Sequence, residues 1–226
     1  MWQCIKYLNL DHKRNVYVVG DIHGCYDELM DNLRRVEFDE DQDFLISVGD
    51  LTDRGNKNEE CVLLIDKPWF QAVRGNHEQT AMNGYFDYEI KKSHMKTGNG
   101  GAWFYALPDA IQRFIIAEFD KLPIALEVSY KGKKYGVVHA EVPYNDWNEF
   151  VTHLELNTMM PNGKDTRDAT MRNRVNYKKD YVKIENIDKV YLGHTVSRGI
   201  KIVGNCSYID TGAVFGRYLT VIKLGE

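Results

Sequence analysis

Val16-Tyr17-Val18-Val19-Gly20-Asp21-Ile22-His23-Gly24 is the stretch on which the reading of the fold turns. Four consecutive apolar, β-favouring residues read as a strand buried on both faces, and Gly-Asp ends it with a flexible residue and a carboxylate. The construction recurs twice. The apolar run 44–48 ends in Gly49-Asp50-Leu51-Thr52-Asp53-Arg54-Gly55, and the run 70–73 ends in Arg74-Gly75-Asn76-His77-Glu78. Amphipathic stretches follow each strand. A helix is predicted near 26–36, with Leu29, Met30, Leu33 and Val36 on one face, a second near 57–67 with Cys61, Leu64 and Ile65, and a third near 77–85. This βαβαβα alternation predicts an α/β fold with a largely parallel core, because parallel neighbours need right-handed crossovers. All three polar segments then lie beyond the carboxyl ends of strands, where open α/β sheets bind ligands.

After residue 85 the rhythm changes. Residues 86–106 are mixed, with Gly98-Asn99-Gly100-Gly101 before Trp103-Phe104-Tyr105. Pro108 introduces a helix near 108–120, with Ile111, Phe114, Ile115 and Phe119 expected on one face. Segments 124–130 and 135–139 read as a hairpin around Lys131-Gly132. A helix is predicted near 146–156, loop over most of 157–180, and strands at Lys189–Leu192, 200–203, 207–209 and 218–223. Antiparallel strands in this half argue for a second sheet packed on the first.

The 226 residues fit one domain, 1–226, with ample core. Hydrophobic content of 43%, charged content of 27% and a formal net charge of −4 are those of an ordinary soluble protein and give no sign of a nucleic-acid partner. Lys131, Lys133 and Lys134 read as a solvated hairpin tip. No stretch approaches the ~18 apolar residues of a membrane span. The opening Met1-Trp2-Gln3-Cys4-Ile5-Lys6-Tyr7 lacks the pattern of a signal peptide. Cys4, Cys25, Cys61 and Cys206 are isolated from one another, which fits a reducing, cytoplasmic setting.

Two later segments repeat the opening logic: Val137-Val138-His139-Ala140 and Tyr191-Leu192-Gly193-His194-Thr195 each place a histidine at the end of an apolar strand. Four of the seven histidines, His23, His77, His139 and His194, sit at such ends, while His12, His94 and His153 read as surface or packing residues. Oxygen and imidazole donors without thiolate favour Mn²⁺, Fe or Zn²⁺ over a purely structural zinc. The set suffices for two ions. Asp50 is the natural bridge, Asp21 and His23 reach one ion, and Asn76, His139 and His194 hold the other. Two ions about 3.5–4 Å apart clamp the attacking and leaving oxygens of an in-line displacement and acidify a shared water, so no protein nucleophile is needed. His77, beside Asn76, suits a general acid for the leaving oxygen, with Asp53 fixing its tautomer. Arg54 offers a planar fork to phosphate oxygens.

These segments resemble the signatures of the phosphoprotein phosphatase family of binuclear metallophosphoesterases. His139 and Gly193-His194 are similar to its later histidine ligands. The closing Tyr208-Ile209-Asp210-Thr211-Gly212-Ala213-Val214-Phe215 is similar to that of the compact bacteriophage lambda-type and bacterial serine/threonine phosphatases. The resemblance covers nearly the whole chain. It implies two mixed β-sheets in a sandwich flanked by helices, the calcineurin-like metallophosphoesterase fold. It also implies Mn²⁺-dependent hydrolysis of phosphoserine, phosphothreonine and often phosphotyrosine in proteins or peptides. A second phosphate-binding arginine is implied, for which Arg172, ahead of Arg174, is the counterpart in a segment without the family's usual tryptophan. Thr52 replaces the usual valine. The partner-docking insertions of eukaryotic members do not fit in a chain of this length, so no obligate regulatory subunit is expected.

Three other chemistries lack their residues. No cysteine is followed six positions later by arginine, as a cysteine phosphatase requires, and there is no P-loop. Asp39, Asp41 and Asp43 lack the glycine of a calcium loop. Cleavage of dinucleoside tetraphosphates or other nucleotide phosphates is the main alternative, since related enzymes use the same metal core and specificity rests on loops, here 85–106 and 140–180. A non-catalytic metal-binding scaffold is disfavoured by the presence of His77, Asp53 and Arg54 together.

Overall fold

The computed structural model describes residues 3–226; Met1 and Trp2 of the N-terminal stretch lie outside the described residues. In chain order the elements are β1 (Ile5–Asn9), β2 (Val16–Val19), α1 (Tyr26–Arg35), β3 (Phe44–Ser47), α2 (Asn58–Leu63), β4 (Phe70–Ala72), α3 (Asn76–Phe86), α4 (Tyr88–His94), α5 (Ala102–Ala106) and α6 (Asp109–Asp120). There follow β5 (Ala125–Tyr130), β6 (Lys133–Val138), α7 (Trp147–Leu156), α8 (Thr166–Arg172), β7 (Lys189–Leu192), β8 (Lys201–Val203), β9 (Cys206–Tyr208) and β10 (Val221–Lys223).

Two mixed sheets form, a four-stranded one in the order β10-β2-β3-β4 and a six-stranded one in the order β1-β5-β6-β7-β9-β8. β2, β3 and β4 are parallel, as are β6, β7 and β9. Period-two alternation explains the layering. Val16, Val18 and Ile46 turn inward and meet Leu126, Val128, Val137 and Tyr191 of the other sheet. Tyr17, Val19 and Leu45 turn outward onto Leu29, Leu33, Val62 and Phe119 of α1, α2 and α6. Trp147, Phe150 and Met171 of α7 and α8 cover Val138, Val190 and Leu192 on the far face. Each large apolar side chain so buried contributes about 1.5–3 kcal/mol. The fold is the α/β sandwich of two mixed sheets flanked by helices that the sequence suggests. Among the described residues no helix is long and apolar enough to cross a membrane.

Several local expectations change. β1 has one buried residue in five, so it carries no alternation to read. Residues 157–180 contain α8, started by the Asp165 side chain, which accepts from Asp168 N at 2.8 Å. On α6 only Ile115 and Phe119 turn inward; Ile111 and Phe114 are 39% and 43% exposed. Phe114 lies one residue, about 100°, around the helix from Ile115. The hairpin forms as expected, with Lys131 and Gly132 at φ 51° and 72°, a two-residue turn that suits the strand twist.

Candidate metal centre

Six parallel strand ends feed one edge of the sandwich. From the four-stranded sheet come Asp21 and His23 after β2, Asp50 after β3 and Asn76 after β4; from the other come His139 after β6, His194 after β7 and Asp210 after β9. His23, Asp50, Asp53, Arg54 and His194 have φ of 45°, 49°, 76°, 68° and 66°, five of the nine non-glycine residues with positive φ among the described residues. Each such conformation costs on the order of 1–3 kcal/mol, and surrounding packing must hold it. Glu78 does part of this. Its buried carboxylate accepts from Asp50 N at 3.0 Å, Gly75 N at 2.9 Å and Leu51 N at 2.8 Å, tying the second polar segment to the third. Burial and then the neighbouring Asp50 charge push Glu78 up to about 7.

Asp50 is central. Its Oδ2 lies 3.6 Å from His23 Nε2, 3.3 Å from His139 Nε2 and 4.0 Å from His77 Nε2, while Oδ1 accepts from His77 N at 3.0 Å. Burial opposes its charge, but His139 and His77 outweigh it and hold the carboxyl well below the usual range. Two donor groups share it: Asp50 with His23 and His77, and Asp50 with His139 and His194, the ligand atoms in each lying within 4.8 Å of one another. Asp21 faces His194, accepting from its backbone N at 3.1 and 3.0 Å. A Cβ at Gly193 would fall 1.9 Å from Asp21 Oδ1, so only glycine lets these two segments meet.

The donors fit cations. His23 Nδ1 and His139 Nδ1 each lie 2.8 Å from a carbonyl, of Thr52 and Val48. A carbonyl only accepts, so Nδ1 carries the proton and Nε2 is left to ligate, the arrangement that orients metal-binding imidazoles. His139 Nε2 also faces Asn76 Oδ1 at 3.0 Å, a second oxygen with no proton to offer. His194 Nε2 is buried with no hydrogen-bond partner. Burial drives His23 down to about 3 and His194 to about 2, so both rings stay neutral, the form in which imidazole binds a metal. Burial, then the charges of Asp210 and Asp50, raise Asp21 well above its ordinary value. The unpartnered Nε2 of His194 and the crowded carboxylates beside it are relieved by positive charge.

His77 stands beside this cluster. Its Nδ1 lies 2.6 Å from Asp53 Oδ2, and burial, which lowers its pKa, is outweighed by Asp50 and Asp53, which raise it. Burial likewise opposes the charge of Asp53, yet hydrogen bonds from His77 and His94 bring it to about 2.

A cavity of about 290 Å³ opens over these groups, with His77, Asp50 and His194 on its floor and Arg54, Arg174 and Phe215 among its walls. Arg54 donates from Nε to Gly98 O at 3.2 Å, contacts His23 Nε2 through Nη1 and lies 5.6 Å from the Phe215 ring centroid. Arg172 does not line the cavity: it is held by Asp168 Oδ1 at 3.0 Å and Thr80 Oγ1 at 2.9 Å. Arg174 does line it, donating to His194 O at 3.4 Å.

Two residues escape the sequence reading. Asp210 is buried and lines the cavity, and the same strand-end rule applied to β9 finds it. His94, expected at the surface or in packing, is 1% exposed and bonded to Asp53. No local pattern announces it.

A family model described as calcineurin-like phosphoesterase matches residues 14–198. Serine/threonine-protein phosphatase 1 of Salmonella typhimurium is 37% identical over 216 residues, covering 93% of this chain and 92% of that one. Serine/threonine-protein phosphatase 2 of Escherichia coli is 31% identical over 220 residues, covering 96% of each. An asymmetrical bis(5'-nucleosyl)-tetraphosphatase of Halalkalibacterium halodurans is 29% identical over 231 residues, covering 92% of this chain and 89% of that one.

Proposed function

The chain belongs to the calcineurin-like phosphoesterase family, and on that footing we propose that it is a serine/threonine protein phosphatase using two divalent ions, Mn²⁺ foremost. Asp21, His23 and Asp50 would hold one ion, and Asp50, Asn76, His139 and His194 the other. Bound ions supply Lewis acidity to the phosphoryl oxygens and bring the pKa of water toward neutrality. The observation that carries this reading is Asp50 shared by two donor groups, one with His23 and His77 and one with His139 and His194.

The chain's own groups do the rest. Arg54 and Arg174 flank the cavity as guanidinium forks for phosphate oxygens. Arg174 takes the place of Arg172, whose side chain is committed to Asp168 and Thr80. His77 keeps Nδ1–H on Asp53, turns Nε2 to the cavity and gives that proton to the leaving oxygen as the P–O bond breaks. Seryl and threonyl alkoxides are poor leaving groups, so this proton matters most for them. Two relatives named protein phosphatases, at 37% and 31% identity against 29% for the tetraphosphatase, support this choice of substrate.

The test compares Mn²⁺-loaded protein on a phosphoseryl peptide, an aryl phosphate and diadenosine tetraphosphate. Turnover of the first two is expected. Strong release from the dinucleotide with none from the phosphopeptide would overturn the substrate assignment.

A further inference from the structure

His94 ends α4, a helix started by Asp87, whose side chain accepts from Ile90 N at 2.9 Å. The ring lies behind the cavity rather than in its lining. His94 Nε2 is 2.6 Å from Asp53 Oδ2, the same oxygen that His77 Nδ1 approaches at 2.6 Å. Trp103 Nε1 donates to the other oxygen, Oδ1, at 2.7 Å. A carboxylate only accepts, so both imidazoles donate to it. With Nε2–H on Asp53, the other ring nitrogen of His94, Nδ1, meets the Tyr105 hydroxyl 3.0 Å away. A Cβ at Gly101 would fall 2.2 Å from His94 Nε2, so the chain presses directly on the ring. Asp53 is thus pinned by three donors from α3, α4 and α5. A ring that only filled space would not need both nitrogens engaged at such distances.

We propose that His94 is a positioning residue for leaving-group protonation: held by Tyr105, it locks the Asp53 carboxylate so that His77 keeps Nε2 turned into the cavity. This rests on the reading of His77 as the proton donor. His94 keeps its own proton throughout; only the Nε2 proton of His77 passes to the leaving oxygen, with the P–O bonding pair.

The test measures kcat and KM of the Mn²⁺-loaded protein on a phosphoseryl peptide and on p-nitrophenyl phosphate, with H94L, H94Q, H77N and the H77N/H94L double variant. H94L is expected to lose roughly 10–100-fold in kcat on the peptide and distinctly less on the aryl ester, with KM little changed, the scale of losing an orienting partner. H94Q, which presents an N–H toward Asp53, is expected to recover most of that loss. In the H77N background H94L should remove little more, since parts of one unit are not additive. Equal losses on both substrates, additive losses, or H94Q as impaired as H94L would overturn the proposal. If H94L does not fold, Tyr105→Phe is read instead: a loss of about two- to fivefold confined to the peptide is expected by the same reasoning, and none overturns it. The parent reading fails separately, through an H77N variant that loses equally on both esters.

Discussion

Replacing Glu78 by glutamine keeps its volume and removes one of the two acceptor oxygens that together take three backbone N–H bonds. Oε2 takes Asp50 N and Gly75 N, and Oε1 takes Leu51 N, all at 2.8–3.0 Å in a fully buried setting. A glutamine with its oxygen toward the first two donors turns its NH₂ against Leu51 N–H, and one buried donor is orphaned. That costs about 1–3 kcal/mol. Glu78→Ala orphans all three, roughly 3–9 kcal/mol on the same scale, against a total domain stability of about 5–15 kcal/mol. The assay is urea unfolding of chelator-treated protein, followed by circular dichroism. With slopes of about 1–3 kcal/mol per M, the glutamine variant should unfold roughly 1 M earlier at unchanged slope. Since Glu78 holds the turn that sets Asp50 at φ 49°, metal content after re-loading should fall in the same order: parent, glutamine, alanine. A glutamine variant with the parent's midpoint, or an alanine variant no worse than glutamine, would refute the reasoning.

Asp50→Asn should abolish turnover and lower bound metal, because both donor groups contain Asp50; atomic emission beside activity checks this, and an active, fully loaded variant contradicts it. Arg174→Ala should raise KM for a phosphoseryl peptide severalfold more than Arg172→Ala, since only Arg174 lines the cavity; steady-state kinetics on both decide it. Gly193→Ala should displace Asp21, 1.9 Å from the added methyl, and weaken metal retention more than it lowers the melting temperature; dialysis against a chelator followed by metal analysis reads it.

The strand–loop junctions of the site are legible because a run buried on both faces, ended by Gly-Asp, Gly-Asn or a histidine, is a local signal of both a strand and its functional end. That rule delivers Asp21, Asp50, Asn76, His139 and His194 to one edge. It reaches Asp210 as well, but the short β9 gave it less prominence. The segment 86–106 is different. Expected as a loop that sets substrate choice, it folds into α4 and α5 and places His94, Trp103 and Tyr105 behind Asp53, with Gly98 O under Arg54. Helices of seven and five residues are too short for periodicity to register, and the value of these side chains exists only after the segment folds back. β1 buries one residue in five, and α8 buries Thr166 and Thr170 beside Ala169 and Met171, so neither shows an apolar period in the sequence.

The candidate ligands come from both layers of the sandwich: His23 and Asp50 ride on one sheet, His139 and His194 on the other. Elsewhere these layers meet chiefly through apolar side chains such as Val18, Ile46, Leu126 and Val137, which resist separation better than they resist sliding. Cations seated between them would act as rivets, setting the registry of sheet on sheet. Affinity for the ions and stiffness against shear are then one free energy measured in two ways, so a substitution deep between the layers, far from any ligand, can still change how tightly the metal is held.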